Sequence, residues 1–94
     1  GYLPIDDGAR AAAIRRLEKA ARSTGVTQIF IETPYRNQKM LQTLADTLRP
    51  DTLLTVAAAV TDPQHESILT LPAAKWRTHK GIPPKTPAVF IIGN

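Results

Sequence analysis

The chain has no cysteine, and only one tryptophan, two tyrosines and two phenylalanines among its 94 residues. Without cysteine there is no disulfide scaffold and no thiolate chemistry. No apolar run approaches the roughly 18 to 20 residues of a membrane-spanning helix, and no signal peptide opens the sequence. A soluble, cytoplasmic protein with no membrane partner is therefore expected. No Gly-x-x-x-x-Gly-Lys-Ser/Thr, Gly-x-Gly-x-x-Gly or Gly-x-Ser-x-Gly run occurs, so the common phosphate cradles and the hydrolase nucleophile elbow are unsupported. Acid is in modest deficit: eight Asp+Glu stand against 12 Lys+Arg, a net charge of +4. That excess is spread along the chain, and nucleic-acid binding usually needs a clustered positive field.

What is present suits a small folded unit. Apolar residues make up 43% of the chain, enough for a core and too many for a wholly disordered polymer. The sequence opens on Gly1 rather than Met, so an excised domain is expected, with any absent motif lying upstream.

Asp6-Asp7-Gly8 is a helix-start signal, because a carboxylate can accept the orphan N–H groups of a first turn. Ala13, Ile14, Leu17, Ala20 and Ala21 then recur on one helical face, with Arg15, Glu18, Lys19 and Arg22 on the other. Gly25 takes the left-handed cap position, so a helix is predicted over residues 8–23. Val26 to Ile31 reads as a strand, and its uninterrupted Ile29-Phe30-Ile31 suggests a central one covered on both faces. Thr33 as N-cap and Pro34 as first helical residue open a second helix, with Met40, Leu41, Leu44, Ala45 and Leu48 as its buried stripe and Pro50 as its stop.

Thr52–Val60 and Glu66–Leu71 read as two further strands joined as an antiparallel hairpin. Pro72 to Trp76 forms a helical turn, residues 78–87 a proline-rich loop, and Ala88–Ile92 the last strand. Strand, helix, strand in the middle implies a parallel crossover. The expected fold is α/β: a mixed sheet of four or five strands, counting a short one at Tyr2-Leu3, with helices packed on it.

Ligands of open α/β sheets gather beyond the carboxyl ends of strands. Two such ends carry polar residues: Glu32-Thr33-Pro34-Tyr35-Arg36-Asn37 and Val60-Thr61-Asp62-Pro63. If their strands are parallel neighbours, the clusters lie side by side. The plainer alternative has Glu32 and Thr33 capping a helix while Tyr35 and Arg36 coat its outside. Asp62, His65 and Glu66 lack the partners of a zinc site and read as a solvated turn. Lys75-Trp76-Arg77 with Lys80 and Lys85 form an acid-free basic stretch holding the one tryptophan. Either it touches a phosphate backbone, or the indole packs on the sheet while the lysines face water.

Gly1-Tyr2-Leu3-Pro4, the charged helix, and Ile29 to Arg36 (IFIETPYR) together resemble the C-terminal half of the tetrapyrrole (corrin/porphyrin) methylase superfamily. They are nearest its ribosomal RNA 2′-O-ribose methyltransferase branch, which has Gly-Phe-Leu-Pro and Glu-Ser-Pro-His-Arg in the same order. Pro87 to Gly93 (PAVFIIG) is similar instead to the closing strand of the uroporphyrinogen methyltransferases. Tyr35 stands where the RNA branch has His, and Ala59 replaces an acidic residue.

The resemblance implies a domain over residues 6–94, preceded at 1–5 by the end of an interdomain linker. It implies S-adenosylmethionine as cofactor, bound in a cleft shared with an N-terminal methyltransferase domain of the same chain. Cofactor contacts would fall on Ile31, Glu32, Thr33, Val60, Thr61, Pro87 and Ala88. A substrate-facing rim would use Tyr35, Arg36, Lys75 and Arg77, with a tetrapyrrole or rRNA ribose as acceptor and no metal. By itself this half is expected to be inactive. A homodimer is among the partners the resemblance allows, although no residue pattern marks its interface. Small side chains at Ala57, Ala58 and Ala59 leave room for a flat purine or, equally, for tight helix–sheet packing. The alternative from another class is a non-enzymatic α/β module that docks RNA or protein through residues 75–85.

Overall fold

The computed structural model describes residues 6–31, 36–58, 67–79 and 87–93. In chain order these form α1 (Asp7–Thr24), β1 (Gln28–Ile31), α2 (Asn37–Thr47), β2 (Leu53–Ala58), β3 (Ser67–Pro72), α3 (Ala73–Trp76) and β4 (Ala88–Ile92). The expected strand at Tyr2-Leu3 lies outside the described residues.

Helix α1 starts and stops where its signals say. The Asp6 carboxylate accepts the Ala9 N–H at 2.9 Å, filling one of the orphan donors of the first turn. Gly25 ends the helix in left-handed backbone at φ 72°, and its N–H reaches the Ala21 carbonyl. The α2 end falls where proline predicts: Leu48 is already extended two residues before Pro50, whose ring disfavours helical backbone at Arg49. Its start differs from expectation in what can be seen. Arg36 occupies the N-cap without a side-chain cap bond, and Thr33 and Pro34 lie outside the described residues.

The sheet is where sequence and structure part. Its order is β1-β4-β2-β3, and every pairing is antiparallel. The four strands and the β2–β3 hairpin match expectation; the mixed sheet and its parallel neighbours do not. Strands β1 and β2 do run the same way, but the crossover through α2 leaves a one-strand gap between them. The C-terminal strand β4 returns antiparallel and fills it. That insertion also corrects the status of β1, which among the described strands stands at the edge and not at the centre. Phe30 is buried, whereas Ile29 is 62% exposed and Ile31 38%. The strands with a neighbour on each side are β4 and β2.

Register sorts the side chains into rows that alternate between the two faces. Gln28, Ile92, Leu54 and Leu71 form one row on the helix-covered side, and Phe30, Phe90, Val56 and Leu69 the next. Phe30 and Phe90 stack with ring centroids 5.6 Å apart. Helix residues Ile14, Met40, Leu41, Leu44 and Leu48 complete this core, all nearly inaccessible to solvent. The opposite face carries Ile29, Ile91, Thr55 and Thr70 in one row and Ile31, Val89, Ala57 and Ile68 in the other. Pro72 ends β3 without harm because an edge strand has no second partner to lose.

Candidate functional site

The common end of the sheet is formed by the last residues of β1 and β2 and the first residues of β4 and β3. Ile31 pairs with Val89, and Ala58 pairs with both Ala88 and Ser67. The tips of β1 and β2 therefore stand at one end of the sheet with β4 between them, roughly 10 Å apart at two inter-strand spacings. They are not side by side, as direct parallel pairing would make them. The side chains also diverge. Ile31 belongs to the open face, while Ala88 and Ala58 point to the helix side and join the core. For Ala58 and Ala88 the small side chain serves tight packing; Ala57 faces the other way, and Ala59 lies outside the described residues.

Of the expected cofactor positions, Ile31, Pro87 and Ala88 are described. Pro87 is exposed at the entry to β4 and Ala88 is buried behind it. Glu32, Thr33, Val60 and Thr61 lie outside the described residues, as does Tyr35 on the expected rim. Arg36 is half-buried at the N-cap of α2. Among the described residues no group of three His, Cys, Asp or Glu side chains could hold a metal ion. No described helix is long and apolar enough to cross a membrane.

The basic segment after β3 behaves structurally where it can be seen. The Trp76 indole N–H donates to the Leu54 carbonyl at 2.8 Å, which ties α3 under β2, and its ring meets that of His79 edge-on at 4.7 Å. Arg77, expected on a substrate rim, instead closes the C-terminal end of α2. Its Nε donates to the Ala45 carbonyl at 2.7 Å and its NH2 to the Leu48 carbonyl at 3.1 Å. A cation there meets orphan carbonyls and the negative end of the helix dipole. Lys75 remains exposed on α3. Lys80 and Lys85 lie outside the described residues.

A second polar cluster lies at the opposite end of the sheet, around an open cavity of about 340 Å³ lined by Glu18, Arg22, Gly25, Asp51, Thr52 and Gly93, among others. Glu18 is buried, not on the solvent face where the sequence reading put it. Its Oε2 accepts the Arg49 N–H at 2.7 Å and the Thr52 hydroxyl at 2.6 Å. Arg22 donates to Thr52 Oγ1 at 2.6 Å and to Asp51 Oδ1 at 2.7 Å. That hydrogen bond and the Arg22 charge hold the Asp51 carboxyl below its ordinary 3.8. A signal for the burial was present: Arg10 and Glu18 each stand four residues from Ile14, in one row of the helix, and both are buried with it.

The sequence matches no protein-family profile, and no curated protein is significantly similar to it. Among solved structures it is similar to the crystal structure of the methyltransferase CobJ, with 23% sequence identity and a TM-score of 0.47. The match covers 88% of this chain and 35% of that one, so the chain spans about a third of the longer protein's length.

Proposed function

We propose that this domain forms one wall of the cofactor and acceptor cleft of an S-adenosylmethionine-dependent methyltransferase of the tetrapyrrole methylase superfamily. The observation that carries the reading is the shared sheet end. Two segments that resemble that superfamily's motifs leave or enter the sheet there, after Ile31 and before Ala88, together with the end of β2 that leads to the expected contacts Val60 and Thr61. With Ala58 and Ala88 turned into the core, the surface left for an adenine ring at this end is backbone and the exposed Pro87. Ile31, Glu32 and Thr33 would then contact the cofactor beyond β1, Val60 and Thr61 beyond β2, and Pro87-Ala88 on the adenine side. Tyr35 and Arg36 would face the acceptor, a tetrapyrrole or an RNA ribose; Lys75, expected beside them, stands instead at the far end of the sheet, where the Ala73 and Ala74 N–H groups of α3 reach the Thr52 and Pro50 carbonyls.

The cofactor supplies a methyl group on a sulfonium, and its transfer is an in-line displacement that needs alignment more than a metal or a covalent nucleophile. Orientation alone lowers such barriers by about 7 to 11 kcal/mol in the best cases. A domain that offers a flat apolar wall and backbone hydrogen bonds is thus a sufficient contribution, without a dense cluster of catalytic side chains.

The test is calorimetric titration of this chain with S-adenosylmethionine. Half a pocket should bind no more tightly than millimolar; micromolar binding would contradict a cleft shared with another domain. In a protein that carries both halves, Glu32→Ala and Thr61→Ala should weaken cofactor binding, and unchanged affinity in both would remove the site assignment.

A further inference from the structure

The unpaired positive charge of the described chain is concentrated on helix α1, not in the basic segment after β3. Arg15, Arg16 and Lys19 are exposed, and among the described residues none of them has a side-chain hydrogen bond or ion pair. Arg49 joins them from the turn before β2. Its backbone N–H is fixed to Glu18 of α1, and its own side chain is exposed and makes no hydrogen bond or close ion pair among the described residues, its charge adding only a minor pull on Asp51. The two carboxylates nearby are already engaged, Glu18 by Arg49 and Thr52 and Asp51 by Arg22. From Gly8 to Thr24 the exposed residues of α1 include no acid.

Two ordinary explanations of such a helix fail on position. Complementing the helix dipole accounts for a cation in the last turn, which is Arg22, but not for Arg15 and Arg16 in mid-helix. Surface solubility is normally met by interspersed signs and i to i+4 acid–base pairs. Here Arg15 and Lys19 are an i to i+4 pair of like charge, and Arg16 and Lys19 an i to i+3 pair, both unfavourable to the isolated helix. A local arrangement that costs stability, with no compensating contact among the described residues, points to a partner outside the fold.

We propose that the outer face of α1, with Arg49 beside it, docks the phosphate backbone of a nucleic acid without reading its sequence. Charge complementarity selects a polyanion, and arginines predominate, whose planar fork matches phosphate oxygens. A membrane surface is the poorer fit. Among the described residues the exposed large apolar ones are Val26, Ile29, Ile31 and Ile68, and none lies on α1 to enter a bilayer. This surface is independent of the methyl-transfer reading and requires no cofactor.

The measurement is fluorescence anisotropy of a labelled single-stranded RNA, and of the DNA of the same sequence, titrated with the protein across a salt series. Three to four phosphate contacts predict that log K falls against log salt with a slope of about −2 to −3. That corresponds to roughly a 20- to 50-fold loss between 50 and 200 mM salt. RNA and DNA should behave alike. The variant R15Q/R16Q/K19Q should reduce the slope by about 2 while retaining its circular dichroism spectrum, R15K/R16K should keep it, and Lys75→Gln should leave it unchanged. A flat salt dependence in the unmodified protein would overturn the proposal. So would a slope that survives the triple substitution, or capture by phosphatidylserine vesicles with no binding to either nucleic acid.

Discussion

Arg77 illustrates how a side chain's chemistry can be read correctly and its address missed. A guanidinium suits phosphate and carboxylate, but it suits a row of orphan helix carbonyls as well, and here it takes two of them. Arg77→Ala should destabilise the fold by about 1 to 2 kcal/mol in urea denaturation. Arg77→Lys should recover only part of that loss, because an ammonium lacks the fork that spans both carbonyls. Asp51 makes a different prediction. Its carboxyl is held low mainly by the hydrogen bond from Arg22 and then by that cation's charge. The folded value lies below the unfolded one, so the ion pair's contribution is present above pH 3.8 and disappears as the pH falls through the folded value. Thermal melts of Asp51→Asn should therefore differ most from the unmodified protein near neutrality and converge with it in acid. Neither role was legible beforehand, because both depend on which helix end or turn lies across from the residue. Glu18 and Arg10 were legible in principle: counting four residues either way from Ile14 puts both on the buried row.

At the scale of elements, local signals sufficed wherever an element is bounded by its own residues. Asp6, Gly25 and Pro50 punctuate the helices as their chemistry dictates, and the buried stripe of α2 is the one its periodicity marks. Gly25 has open space where a side chain would stand, so its replacement tests backbone conformation alone. Gly25→Ala should cost about 1 to 2 kcal/mol through the left-handed strain, with Asn in its place costing less. Chemical denaturation of the two variants measures the difference. Strand identity was legible too, but strand order was not. The apolar run Ile29-Phe30-Ile31 is equally compatible with a central strand and with an edge strand whose outer face is left open. Only the long-range return of residues 88–92 decides between them. The candidate cleft was legible to the same degree, as a set of strand ends without their spacing.

For the molecule as a whole, β4 is the element on which the sheet depends. Among the described strands it is the only partner of β1 and the second partner of β2. Phe90 lies at its centre, fully buried and stacked on Phe30. Phe90→Ala should remove about 3 to 5 kcal/mol, a large share of the 5 to 15 kcal/mol typical of a domain. Ile91→Thr, one residue along and on the open face, should cost far less in the same urea titration. The position of β4 also bears on how the chain is made. Synthesis delivers α1, β1, α2 and the β2–β3 hairpin first, yet the two halves of the sheet have no strand to join them until residue 92 clears the ribosome. Until then β1 has no ladder to enter, and the nascent polypeptide holds an exposed Phe30 waiting for its stacking partner.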